Sequence, residues 1–208
     1  MRPETDHQAV SFMTQSVFRI LLNAMSRPGR IYEMKPFIGG WNYPVPEGFG
    51  NGGAFLVPVL MTLLDSEVSF CVTGDKGTAE EITKFTGAHI SVTKDADFVI
   101  VPYGRKSSAV LEARRGTLKY PDGGATIVFC VDELNGKIDG YSFLELKGPG
   151  IADTRKLQIK RIDPETFACL NEVNSEFPLG VDSFFIDDEG RLAAIPRSTA
   201  IEVKRWDT

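Results

Sequence analysis

Apolar positions change period several times along this chain, and each change marks an element. In "VSFMTQSVFRILLNAMSRPG", Phe12, Val17, Phe18, Leu21, Leu22 and Met25 recur at steps of three, four and seven, which predicts a helix. Ser26-Arg27-Pro28-Gly29 ends it, because proline cannot extend the ladder and glycine permits the reversal. "RIYEMKPF" predicts a short strand and "AFLVPVLMTLLD" a helix, with Pro58 either in its first turn or at a kink. "EVSFCVTG" and "DADFVIVP" are continuous apolar runs, as buried strands are. Between them "TAEEITKFTG" predicts a helix capped by Thr78, with Glu81 completing the capping box and Gly87 as the stop.

Farther along, "SSAVLEARRG" predicts a short helix with arginines near its negative end. "GGATIVFCVDEL" and "YSFLELKGPG" predict strands, and "KLQIKRI" alternates as a half-exposed strand does. Asp163-Pro164 opens the helix "PETFACLNEVNSEF" with a capping aspartate and a first-turn proline. Phe177 to Val203 predicts a closing hairpin. Interleaved helices and strands, with central strands apolar on both faces, predict a sheet covered on both sides. The expectation is one α/β domain over residues 1–208, a three-layer αβα arrangement with a mixed sheet that takes late antiparallel additions. No repeat, linker or low-complexity tract interrupts it.

Composition narrows the function. A net charge of −5 argues against a general nucleic-acid-coating role, without excluding a local cationic pocket. Cys71, Cys130 and Cys169 lie far apart in apolar contexts and read as free buried thiols in a reducing compartment. His7 and His89 are the only histidines and form no helical pair, so no zinc-hydrolase or other metal site is expected. The N-terminus lacks a signal-peptide pattern, and the longest apolar stretch, Ala54 to Leu64, is too short to span a bilayer. A cytoplasmic protein without membrane or nucleic-acid partners is the expectation.

Several motifs weigh less than their spacing promises. Gly48, Gly50 and Gly53 match G-x-G-x-x-G, but no core strand precedes them, and Asp65 and Glu67 come too early for a ribose contact. Gly148-Pro149-Gly150 reads as a tight turn before it reads as an anion nest. Arg105, Lys106, Arg114, Arg115 and Lys119 read as a solvated face, with an acidic partner as the sharper alternative. The carboxylate pairs Asp187–Asp188, Glu80–Glu81 and Asp132–Glu133 fall in turns or caps and lack the apolar setting of an acid catalyst.

The closing hairpin carries the sharpest expectation. Gly190 is expected at positive φ. A two-residue loop, Glu189-Gly190, pairs Asp188 with Arg191 and places Asp182 and Arg197 on one face within ion-pair reach. A three-residue loop moves the register by one and separates them. If they pair, Asp182 holds the guanidinium while Ser198 and Thr199 offer hydroxyls. Asp182, Arg197, Ser198 and Thr199 are therefore the candidate ligand or subunit contacts, against a purely structural ion pair that fixes the sheet end.

Six segments in order resemble the PhnH family of the bacterial carbon–phosphorus lyase system. They are "FRILLNAMSRPGRI" at Phe18 to Ile31, "LMTLLD" at Leu60 to Asp65, "GGAT" at Gly123 to Thr126, "LKGPGI" at Leu146 to Ile151, "FPLGVD" at Phe177 to Asp182, and "IPRSTAIEV" at Ile195 to Val203. The resemblance implies a fold similar to the large domain of pyridoxal-phosphate transferases, without that cofactor. It also implies a homodimer that joins PhnG, PhnI and PhnJ in a core complex. That complex displaces adenine from ATP with a phosphonate, giving a ribose 1-phosphonate 5-triphosphate. Catalytic residues are implied to lie mainly in the other subunits, so none is carried over. Lys147 is the lysine placed most suggestively for a Schiff base, but it has no acidic partner for a ring nitrogen. The glycine-rich loop from Gly39 to Gly53 matches no motif of the family.

The leading expectation is a non-autonomous subunit that supports formation of α-D-ribose 1-methylphosphonate 5-triphosphate from ATP and methylphosphonate, with no cofactor of its own. The alternatives are a stand-alone enzyme or binding protein for a phosphorylated ligand near Arg197, or a purely structural homodimer.

Overall fold

The computed structural model describes residues 7–38, 45–46, 49, 52–74, 76–103, 108–136 and 141–204. Helix α1 spans His7–Ser26 and buries Met13, Val17, Ile20, Leu21 and Ala24. Phe12, Phe18 and Leu22, counted in the expected apolar face, stand exposed. Apolar residues occupy more than one stripe of this helix, and only packing decides which stripe is covered. The predicted strand after α1 is cut short. Strand β1 is Tyr32–Glu33, and α2, Lys35–Ile38, follows at once with Pro36 in its first turn, where a missing N–H costs nothing.

Helix α3, Gly53–Leu63, holds Pro58 in its buried interior rather than its first turn. Strand β2, Ser69–Val72, leads to α4, Lys76–Thr86. Because α4 begins before Thr78, that threonine lies inside the helix and is not its cap, which corrects the expected capping box. Gly87, at φ +78°, is the stop, and its N–H donates to Thr83 O at 2.9 Å. The chain continues through β3, His89–Ile90, β4, Phe98–Val101, and α5, Ser108–Glu112. Arg114 and Arg115 fall just beyond α5; Arg105 and Lys106 lie outside the described residues, as do Gly48, Gly50 and most of the loop 39–53.

Strands β5, Thr126–Val131, β6, Glu133–Leu134, β7, Tyr141–Lys147, and β8, Arg155–Lys160, come next. Helix α6 is Glu165–Val173, and Asp163 Oδ1 accepts the Glu165 N–H at 3.0 Å, as the capping aspartate should. Strands β9, Asp182–Asp187, β10, Arg191–Ile195, and β11, Ala200–Lys204, complete the described chain.

The strands form two sheets. The larger runs β1-β10-β9-β5-β4-β2-β3. Its strands from β9 to β3 are parallel, and β10 alone runs against the rest. The smaller sheet, β11-β7-β8-β6, is antiparallel throughout. The late antiparallel strands therefore build a sheet of their own, while β9 of the closing hairpin enters the main sheet beside β5.

Alternation along the central strands feeds two cores. Phe70, Ile100, Val128, Phe184 and Ile186 face α1, α3 and α4. Val99, Ile127, Phe129 and Phe185 face α5, α6 and the small sheet. Both faces of the main sheet are thus covered, as its continuous apolar strands require.

Candidate functional site

The hairpin turn is the three-residue one. Leu192 lies opposite Ile186 and Ile195 opposite Ser183, so Asp188, Glu189 and Gly190 form the loop and Gly190 adopts φ +78°. Counting in that register places Arg197 out of step with Asp182. The two meet nevertheless. Arg197 Nη2 lies 2.6 Å and Nε 3.1 Å from Asp182 Oδ2, and the Arg197 N–H donates to Asp182 Oδ1 at 2.9 Å. The counting rule failed because it assumes an unbroken pleat. Strand β10 ends at Ile195, and residues 196–199 turn back with the Thr199 N–H on Pro196 O at 2.9 Å. Past the strand, side-chain alternation no longer applies.

The third arm of the guanidinium, Nη1, donates to Pro121 O at 2.6 Å. Arg197 therefore ties the end of the hairpin both to the start of β9 and to the turn before β5. Around it gather the segments that carry the family resemblance. The Asp182 N–H donates to Ala125 O at 3.2 Å, and Thr126 lies opposite Asp182 in the parallel ladder. The Gly29 N–H donates to Ala194 O at 2.9 Å, and Lys147 lies opposite Ala200. Gly124 is required here by close approach. A Cβ on it would meet the Gly180 carbonyl oxygen and come within 2.7 Å of Arg197 Nη1. Of the six segments, "LMTLLD" alone lies apart from this region, in α3.

A cleft of about 440 Å³ opens beside the tether, with Pro149, Asn171, Asn174, Phe177, Ser198 and Thr199 among its walls. Phe177 is 67% exposed, whereas Thr199 is buried and its Oγ1 has no hydrogen-bond partner among the described residues. Asn171 on α6 and Asn174, the residue that caps its C-terminus, each bridge a backbone edge. Asn171 spans Ile201 N–H and C=O, and Asn174 spans those of Val181. The four predicted residues are thus brought together. Arg197 presents its fork to Asp182 and a carbonyl, and the carboxylate occupies the place a phosphate would take. What the cleft offers a visitor is an apolar wall, the Ser198 hydroxyl and side-chain amides.

A second polar cluster, at the opposite ends of the parallel strands, gathers Asp187, Asp188 and Asp132, carboxylates that the sequence pattern assigned to turns or caps. Asp187 is fully buried and accepts from the N–H groups of Leu134, Glu189 and Arg191 and from Arg191 Nε at 2.6 Å. It is therefore a strand-end anchor rather than a solvated turn residue, and Arg191 pairs with it instead of with Asp188. Burial works to lower the Arg191 pKa, but the Asp187 carboxylate beside it outweighs that and raises it. Tyr103 donates its hydroxyl to Asp188, and burial together with that carboxylate pushes the phenol well above its ordinary range. Arg161 lies over the Tyr103 ring and pairs with Asp132 at 3.2 Å. The signal available in the sequence was the end of three parallel strands in acidic or phenolic residues, which periodicity alone does not weigh.

Among the described residues, no group of three or more His, Cys, Asp or Glu comes together to hold a metal ion, and no helix is long and apolar enough to cross a membrane. Burial also pushes the Cys130 thiol well up, which keeps it protonated.

The architecture defines a doubly covered α/β protein whose sheet ends are pinned by arginine–carboxylate ties. The chain belongs to the PhnH family of bacterial phosphonate metabolism proteins, whose family model matches residues 6–202. It is 33% identical over 192 residues to the protein named as C-P lyase subunit HtxG of Stutzerimonas stutzeri, covering 91% of this chain and 86% of that one. It is 31% identical over 196 residues to the alpha-D-ribose 1-methylphosphonate 5-triphosphate synthase subunit PhnH of Rhizobium meliloti (strain 1021), covering 92% and 91%.

Proposed function

We propose that this chain is a subunit of a carbon–phosphorus lyase assembly in organic phosphonate catabolism. In that role it supports formation of α-D-ribose 1-methylphosphonate 5-triphosphate from ATP and methylphosphonate and is not catalytic alone. The observation that carries the reading is end-to-end membership of a family whose relatives bear those subunit names. The site geometry agrees with it. Arg197 lines the cleft but commits its guanidinium to bracing Asp182 and Pro121 O, and Phe177 and Ser198 stand beside it as contact groups.

We propose Asp182, Arg197, Ser198 and Thr199 as the braced floor of a subunit contact rather than a phosphate site, within one PhnH-like domain over residues 1–208. Homodimerisation, association with PhnG, PhnI and PhnJ, and a cytoplasmic location belong to the same proposal. So does a relation to the large domain of pyridoxal-phosphate transferases. That relation is supported by a seven-stranded sheet, covered on both faces, in which one strand alone runs antiparallel.

The test is co-expression with the companion subunits encoded in the same source. The chain should co-purify with them in an assembly that consumes ATP in the presence of methylphosphonate, and should show no turnover by itself. Turnover by the isolated chain would favour the stand-alone enzyme instead.

A further inference from the structure

The cationic stretch from Arg114 to Lys119 plays no part in the site above, and the fold builds it into a knob. The backbone N–H and C=O groups of Thr117 and Tyr120 exchange two hydrogen bonds, each 3.0 Å, which leaves Leu118 and Lys119 at the tip of a tight hairpin. Lys119 Nζ lies 4.9 Å from the centre of the Tyr120 ring. Gly116, at φ +77°, brings the returning chain so close that a Cβ would meet Pro121 O at 2.8 Å. Arg115 bridges Gly124 across the base. Two bonds then fasten that base beside the cleft. The Gly180 N–H donates to Arg115 O at 2.9 Å, and Arg197 Nη1 to Pro121 O at 2.6 Å.

Among the described residues, Leu118 and Phe177 are the two most exposed large apolar side chains, at 81% and 67%. They belong to the two segments joined at Arg115 and Gly180. The hairpin leaves the Phe177 of its own molecule uncovered, so knob and cleft both stand open. Their charges are opposite. Arg114 is committed to Asp97, but Arg115 and Lys119 are exposed on the knob. Glu172 and Glu176 are exposed and alternate along the chain with Asn171, Ser175 and Phe177 of the cleft wall. Asp122 sits at the base of the hairpin and Lys147 opposite Ala200, so cations gather at the tip and carboxylates beside the cleft.

We propose that two copies of this chain pair about a two-fold axis, each seating the Leu118–Tyr120 tip of its hairpin in the Phe177 cleft of the other. This rests on the homodimer reading above and adds the surface to it. Leu118 and the Tyr120 ring cover Phe177 and Pro149, and Lys119 meets Glu176 across the axis. A cleft of about 440 Å³ gives room for the side chains of one hairpin tip. Because knob and socket lie side by side on one chain, a single contact made twice closes the interface. The hairpin is ordered before it docks, so little conformational freedom is lost on pairing. A companion subunit would need both a matching socket and a matching knob, whereas a second copy supplies the two together.

The experiment is sedimentation of the purified chain over a range of concentrations. The unmodified chain should sediment as a dimer. Leu118→Asp, at an exposed tip, should weaken the dimer by about tenfold or more with the circular dichroism of the fold unchanged. Lys119→Glu and Glu176→Lys should each weaken it, and the two together should restore it, because the charges exchange across the axis. If Leu118→Asp fails to fold, the charge-reversal pair still decides. Chains carrying Leu118→Cys, mixed with chains carrying Ser175→Cys, should oxidise to a cross-linked pair that neither forms alone. A dimer indifferent to these changes overturns the hairpin exchange and leaves the homodimer reading standing. A chain that stays monomeric at every concentration overturns both. Variants that spare self-association but lose companion subunits in co-purification make the occupant a companion, and overturn the exchange as well.

Discussion

At Arg197 one guanidinium holds three chain segments, because Asp182, Pro121 O and its own turn all converge on it. Its side chain is 13% exposed and that of Asp182 20%, so the pair is little screened. Arg197→Ala strands a carboxylate near the core and should cost about 2–3 kcal/mol. In thermal unfolding that is a fall of about 4–12 °C; a change under about 1 °C would show the tie to be ornamental. The neighbouring glycines give a matched pair. Gly124→Ala drives a Cβ into the Gly180 carbonyl and should destabilise strongly, whereas Gly123→Ala has nothing within 4 Å and should be nearly neutral. Equal effects of the two would mean the segments are not packed as described.

Asp97 supplies a pH signature at the same scale. Burial tends to raise its pKa, but hydrogen bonds from the Ser69 hydroxyl and N–H and from Arg114 outweigh this and leave it below the ordinary value of 3.8. A carboxyl depressed in the folded state stabilises fully above its unfolded pKa and loses that contribution as pH falls through the folded one. Asp97→Asn should therefore flatten the acid limb of a stability–pH curve below about pH 4, measured by denaturant titration. An unchanged limb would contradict the bonding. The residue types of the site were legible in the sequence, but the Asp182–Arg197 pair was legible only as one of two alternatives, and the three-residue loop belongs to the alternative that separates them. The meeting depends on a turn at Pro196 rather than on strand register.

Among elements, Asn171 and Asn174 show how a helix can finish a sheet. Asn171 projects from α6 and Asn174 from its C-terminal cap, each onto backbone that would otherwise lack those partners. Asn171→Ala should cost about 1–2 kcal/mol and speed amide exchange at Ile201 while leaving Ile195 protected. Exchange unchanged at Ile201 would show that the edge is closed by something else. The long elements were readable because their periods persist: α1, β5 and β9 lie where the pattern puts them. Short ones were not. Two residues suffice for β1, β3 and β6, too few for any periodicity, and α2 hides behind a proline. Thr78 illustrates a different limit. A capping signature marks a helix start only if the chain has not already begun to coil, and α4 begins at Lys76.

For the whole molecule, burial on both faces of the central strands followed directly from their unbroken apolar runs. That the antiparallel strands form a separate sheet did not, because alternation in β7 and β8 names no partner sheet. Segments scattered from Gly29 to Ala200 converge around one tether, which explains how sequence fragments far apart can specify a single surface. The account stands or falls on whether this chain works as part of an assembly. The direct measurement is ATP consumption with methylphosphonate by the purified chain, by the companion subunits without it, and by the two together. The account predicts turnover only when the chain and its companions are combined. Turnover by the chain alone, or undiminished turnover by the companions without it, would contradict it.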